Sequence, residues 1–202
     1  MKNIFNRSIV ITLALAALGT AGCRTPTPHL SALVEKTSPP ALTPPSGKSL
    51  VLIHRPLNAA ADNLYTGVWD STNFIADLGS GNSVAFVCEP GTHYFINRSI
   101  QNVGVVEAQL LADQTYDLRV DFVAPQFVGM MSFQLEPMKR GDKERTQLPK
   151  WEKENFWVSR GANAKATEHE RLTTSEIEII LRDFVSGQKK NRLRHLDAEE
   201  HR

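Results

Sequence analysis

Between residues 49 and 136 the chain is cut into short runs rich in β-branched and aromatic residues, each bounded by Gly, Pro, Asn, Asp or Ser. These runs are 49–55, 65–70, 73–78, 83–88, 93–100, 103–111, 115–123 and 127–136. Short β-prone segments at regular spacing cannot bury an apolar face as isolated hairpins. They are the signature of a sandwich or barrel. The clearest is 115–122, where Tyr116, Leu118, Val120 and Phe122 alternate with Asp117, Arg119 and Asp121. Period-2 alternation predicts a strand with one buried and one wet face. The expected class is therefore mainly β, an antiparallel β-sandwich over residues 48–137, carrying a C-terminal α-helix.

Residues before and after this body differ from it. The chain opens on Lys2 and Arg7, continues through an apolar run from Ile9 to Leu18, and reaches Thr20-Ala21-Gly22-Cys23. A basic start, a short apolar stretch and small residues are the parts of a secretory signal. The apolar run is about half the ~20 residues a membrane span needs. Thr20-Ala21-Gly22-Cys23 resembles a lipobox, the cleavage motif of bacterial lipoproteins, with Thr20 in place of the usual Leu, Val or Ile. The resemblance implies a signal peptide over residues 1–22, cleavage between Gly22 and Cys23, and a diacylglycerol thioether on Cys23. Arg24 rather than Asp after that cysteine points to the outer membrane, facing the periplasm, in a host that has one. Two or more acyl chains hold a protein stably at a bilayer.

Six prolines between residues 24 and 46 read as a tether over 23–47, extended at ~3.1 Å per residue and able to reach ~70 Å. Residues 28–36 also suit one helical turn. With Cys23 lipidated, Cys88 is left without an intramolecular disulfide partner, so the fold must stand on its core. The stretch 47–137 holds four basic and nine acidic residues, and 138–202 holds fifteen basic and twelve acidic ones. The body is mildly acidic and the extension basic and heavily charged.

In that extension Trp151, Phe156 and Trp157 are the strong apolar anchors. Thr173 and Glu176 have capping-box spacing, and Ile177, Ile180, Leu181, Phe184 and Val185 recur at helical spacing. This predicts an amphipathic helix over about 174–186, whose stripe packs on the sandwich or docks to a partner protein. The run Lys189, Lys190, Arg192, Arg194 is expected to lead to a frayed end.

Two further pieces carry a family resemblance. Glu89-Pro90-Gly91-Thr92-His93-Tyr94-Phe95 opens a strand after a Pro-Gly turn, and Leu111-Ala112-Asp113-Gln114-Thr115-Tyr116-Asp117-Leu118 enters another through a tight turn. With the strand at 50–55, these resemble a family of small bacterial envelope lipoproteins with a β-sandwich domain of uncharacterised function. Asp113-Gln114 stands where that family has Gly-Lys, and Asp117 where it has a second Tyr. The resemblance implies fold and place and carries no catalytic residue.

Candidate chemistry is sparse. Cys88 and His93 flank a turn and could act as nucleophile and base of an envelope-polymer hydrolase; a buried inert thiol is the plainer reading. His54 and His93 with Asp70 or Asp77 could ligate a metal, yet the close ligand pairs of zinc sites are missing from the body, and no metal or cofactor is expected. Gly79-Ser80-Gly81 lacks the Lys-Ser/Thr of a phosphate loop and reads as a hairpin loop. Trp69, Tyr65 and Phe74 form either an aromatic platform for a glycan or ordinary core. Of Met130 and Met131, alternation turns one inward. The expectation is a lipid-anchored, non-enzymatic binding or scaffolding protein of the cell envelope, whose partner is an envelope protein or glycan and not nucleic acid. An accessory subunit docking through its C-terminal helix is the alternative beside the hydrolase.

Overall fold

The computed structural model describes residues 28–99, 102–123, 132–161 and 172–202. The signal segment with Gly22 and Cys23, the pair Met130-Met131 and His169 lie outside the described residues. In chain order the strands are β1 (Val34–Lys36), β2 (Ser49–Arg55), β3 (Thr66–Asp70), β4 (Asn73–Leu78), β5 (Asn82–Cys88) and β6 (Gly91–Arg98). They continue with β7 (Val103–Leu110), β8 (Thr115–Val123), β9 (Ser132–Pro137), β10 (Phe156–Arg160) and β11 (Arg194–Leu196). Helix α1 spans Leu148–Glu154 and α2 spans Thr174–Val185.

Two sheets face each other. The first has the order β1-β10-β5-β2-β8-β9 and the second β11-β7-β6-β3-β4. Alternation dictates the packing. Val51 and Ile53 of β2, Val84 of β5 and Leu118 and Val120 of β8 point inward from the first sheet. Val68, Phe95, Val106 and Ala108 meet them from the second. All are essentially inaccessible to water, the condition under which apolar burial stabilises most. Asn97 crosses between the sheets: its amide donates to the Phe133 carbonyl (3.0 Å) and accepts from the Leu135 N–H (3.1 Å), tying β9 to the second sheet.

The mainly β class with a C-terminal helix is as expected, but the sheets are mixed rather than antiparallel. The β2–β8, β5–β10 and β7–β11 pairs are parallel. Parallel pairing needs a crossover between strands far apart in sequence. Here it arises because β8 returns to the first sheet after β6 and β7 have been laid in the second, and because β10 and β11 come from the charged extension. The sheets therefore extend beyond 48–137 on both sides.

Within the stretch read as a tether, a short piece packs on the domain. Ser31, Leu33 and Val34 are buried, and β1 pairs with β10 through Val34↔Arg160. The helical turn expected within 28–36 is replaced by this strand. Thr37 donates to the Trp157 carbonyl (2.8 Å), and the Leu42 carbonyl accepts from Thr115 Oγ1 (2.9 Å). Extended, proline-punctuated backbone suits an edge strand, and Leu33, Val34 and Leu42 supply apolar side chains that are better buried than hydrated.

The C-terminal end is pinned rather than frayed. β11 runs parallel to β7, the Arg202 N–H donates to the Thr115 carbonyl (2.9 Å), and Arg194 Nε lies 3.0 Å from Glu136 Oε2. Among the described residues no helix is long and apolar enough to cross a membrane.

Candidate functional site

The register of β2 with its neighbours builds a buried polar cluster on the outer face of the first sheet. Leu50, Leu52 and His54 point outward, and His54 lies opposite Ser83 of β5 while Leu52 lies opposite Asp117 of β8. This face is wet in the alternation pattern of β8, but in the fold it is sealed. His54, Ser83 and Asp117 are each 0% exposed. Trp157 of β10 and Trp151 of α1 close over the imidazole, with ring centroids 5.8 and 6.0 Å away.

His54 Nδ1 is 2.9 Å from Ser83 Oγ, and its Nε2 is 3.4 Å from Asp117 Oδ1. A proton on Nε2 facing the carboxylate leaves Nδ1 to accept from the Ser83 hydroxyl. Asn155 donates to the same Oγ (2.9 Å) and to the Asn82 carbonyl (3.3 Å). Arg202 donates from Nε to Asp117 Oδ2 (2.8 Å), and its Nη1 pairs with Glu152 of α1 (2.6 Å). Arg145 stands 3.6 Å from Asp117 and donates to the Met138 carbonyl (2.8 Å). Burial pushes the Asp117 carboxyl up, but the hydrogen bonds from His54 and Arg202 and the Arg202 charge outweigh it and hold the group below the usual carboxylate range.

Ser, His and Asp in a row are the parts of a nucleophile relay. In this molecule the row has no room for a substrate: two tryptophans cover it, and the Ser83 oxygen already accepts from Asn155. What the cluster does is bind five segments distant in sequence, since it joins β2, β5 and β8 to α1 and to residue 202.

Sequence reasoning missed this cluster. It singled out His54 only as a metal ligand beside His93, and the structure separates the two: His93 stacks on Phe95 (6.0 Å) in the interior between the sheets. Among the described residues no group of three or more His, Cys, Asp and Glu side chains is placed to hold a metal. One sequence signal was available, His54 directly after the aliphatic run 50–53; Asp117 alternates with Arg119 and Asp121 and gave none.

Of the residues proposed for metal binding, Asp70 does meet His93, at 2.8 Å from Nδ1. The other ring nitrogen contacts the Glu89 carbonyl (2.8 Å). The hydrogen bond to Asp70 raises the His93 pKa above its ordinary value, burial works against it, and the Asp70 charge adds to the rise. Cys88 packs against the same interior core, and its sulfur lies 4.0 Å from the Ser49 carbonyl. Burial first, then the charges of Asp70 and Glu89, push its thiol up to about 12. Both His93 nitrogens are engaged elsewhere, so the pair lacks an activated thiolate and a base turned toward it.

Trp69 of the aromatic trio is core. The register Trp69↔Ile96↔Val105 lays one apolar row across the outer face of β3, β6 and β7. Helix α2 covers that row with Ile177 and Phe184, and Ile180 and Leu181 pack beside them. Trp69 is 2% exposed and folds across Gly67, whose missing Cβ leaves the space the indole occupies. Phe74 packs on Trp69 (5.2 Å), and the half-buried Tyr65 donates to the Leu30 carbonyl (3.3 Å). Trp69 thus offers no exposed platform. The helix stripe rests on its own sheet, and the capping box is formed: Thr173 Oγ1 accepts from the Glu176 N–H (3.2 Å), and Glu176 accepts from the Thr173 N–H (2.9 Å).

The Pro90-Gly91 and Asp113-Gln114 steps are the turns into β6 and β8. Asp113 adopts φ +62, the left-handed conformation that favours glycine and that Asp tolerates, and its carboxylate accepts from the Gly47 N–H (2.7 Å). No family model, curated protein or solved structure matches the chain.

Proposed function

We propose that the protein is a lipid-anchored, non-enzymatic β-sandwich of the bacterial cell envelope, held through Cys23 and presenting a rigid surface to an envelope protein or glycan. The anchor reading rests on the sequence from Lys2 to Cys23. The non-enzymatic reading rests on one observation: each candidate chemistry is closed. The Cys88 thiol is pushed up to about 12, and the Ser83–His54–Asp117 row is buried beneath Trp151 and Trp157. Docking through α2 is the less supported reading, because Ile177 and Phe184 already pack on Trp69, Ile96 and Val105. Exposed Ile179 on the other side of that helix stays available to a partner.

Metabolic acyl labelling is expected to mark the wild type and to miss Cys23→Ala, which leaves the membrane fraction or accumulates uncleaved. An unlabelled wild type overturns the anchor. A fluorophosphonate probe is expected to leave Ser83 unmodified in the folded protein, and a thiol reagent to leave Cys88 unmodified at neutral pH. Rapid modification of either, abolished by Ser83→Ala or Cys88→Ser, overturns the non-enzymatic reading.

A further inference from the structure

The segment that follows the anchor cysteine is held at one end of the sandwich. The His29 N–H donates to the Ser80 carbonyl (3.2 Å), His29 Nε2 meets Asp62 (3.2 Å), and the Leu30 carbonyl accepts from Tyr65. Gly79 has no Cβ where the His29 carbonyl passes, so the chain lies directly on that turn. The contacted loops, 57–65 and 79–81, are themselves fixed. Buried Arg55 donates to the carbonyls of Leu64 (2.6 Å) and Ala61 (2.9 Å), and the Asn58 N–H donates to Ser80 Oγ (2.9 Å). The covalent path from Cys23 to Pro28 is five residues, at most about 18 Å when fully stretched.

We infer that the domain is held against the membrane in one orientation, with the end formed by Leu30, loop 57–65 and turn 79–81 facing the lipid headgroups. The inference rests on the lipid attachment proposed above. The opposite end carries the turns at Glu89–Gly91 and Leu111–Gln114. It lies about 20 Å farther away, the length of a seven-residue strand such as β2. Exposed apolar residues fit this orientation. The near end exposes Leu30, Ala59, Ala60 and Asn63; of its carboxylates, Asp62 contacts His29 and Asp121 of β8 pairs with Arg119. The far turns carry Glu89, which pairs with Lys48, and Asp113. Apolar Leu30, Ala59 and Ala60 at the near end suit contact with the headgroup region. Any partner is therefore met at the far turns or along the flanks, close to the bilayer and not at the end of a long reach.

The test uses the full-length lipidated protein in phosphatidylethanolamine–phosphatidylglycerol vesicles carrying nitroxide headgroups. Single fluorophores are placed at Asn63→Cys or Asp113→Cys in a Cys88→Ser background. Quenching is expected to be several-fold stronger at 63 than at 113. A Gly/Ser-rich insertion of about fifteen residues between Thr27 and Pro28 adds about 20 Å of mean reach and is expected to erase the difference without touching the fold. Equal quenching at the two sites in protein that floats with the vesicles overturns the orientation alone. Protein that fails to float and carries no acyl chain overturns the anchor as well.

Discussion

The two outer faces of the sandwich are sealed by opposite chemistry. On the second sheet an apolar row, Trp69, Ile96 and Val105, is covered by the apolar stripe of α2. On the first sheet Leu50, Leu52 and Trp157 share the face with an ionic cluster of Asp117, Glu152, Arg145 and Arg202 around His54. The apolar cover is non-directional, indifferent to pH, and scales with area. The ionic cover works only in one geometry and one protonation state, because each buried charge depends on its partners. One small domain therefore holds a forgiving lid and an exacting one.

The sharpest way to break this contrast is Asp117→Ala. It strands Arg202, Arg145 and His54 together, and is expected to destabilise by about 3–5 kcal/mol in denaturant melts. The same carboxyl sets a pH signature. Its folded pKa lies below the unfolded value, so its contribution is complete above about pH 4, the ordinary Asp range, and is lost as pH falls through the folded pKa. Wild type is expected to lose stability in that acid window, and Asp117→Asn to lose less of it. An acid slope unchanged in Asp117→Asn would remove the ionic lid from the account.

Phe184→Ala is the matching test of the apolar lid. It empties a site 1% exposed and is expected to cost about 3 kcal/mol, with the acid slope of wild type retained. Because the lids lie on different sheets, the Asp117→Ala and Phe184→Ala losses are expected to add within about 0.5 kcal/mol. The mildest change, Thr173→Ala, removes one half of the capping box. It is expected to cost about 1 kcal/mol and to show as faster amide exchange confined to the first turn of α2.

The apolar lid was legible in the sequence and the ionic one was not, for a physical reason. Ile177, Ile180, Leu181 and Phe184 declare themselves through local periodicity, and Thr173 and Glu176 mark the helix start. The body strands were legible too, through runs such as 49–55 and 115–123. The ionic lid is assembled from Ser83, Asp117, Asn155 and Arg202, which share no local pattern and meet only through register. Asp117 even sits in an alternation that reads as solvent-facing. It is buried because α1 and residue 202 arrive from the extension to cover it. β1, β10 and β11 escaped for a related reason. Three to five residues with charged side chains carry too little periodicity, and their stability is donated by partners far away in sequence.

The place of β10 has a consequence for assembly. It lies between β1 and β5, so the earliest strand of the domain has no neighbour until residue 160 exists. A chain growing from its N-terminus must wait through most of its synthesis with β1 unpaired and the flank of β5 open, a source of slow closure and of mispairing with other copies. Chains truncated before Phe156 should be sticky, while those ending just past Gly161 should already complete this sheet.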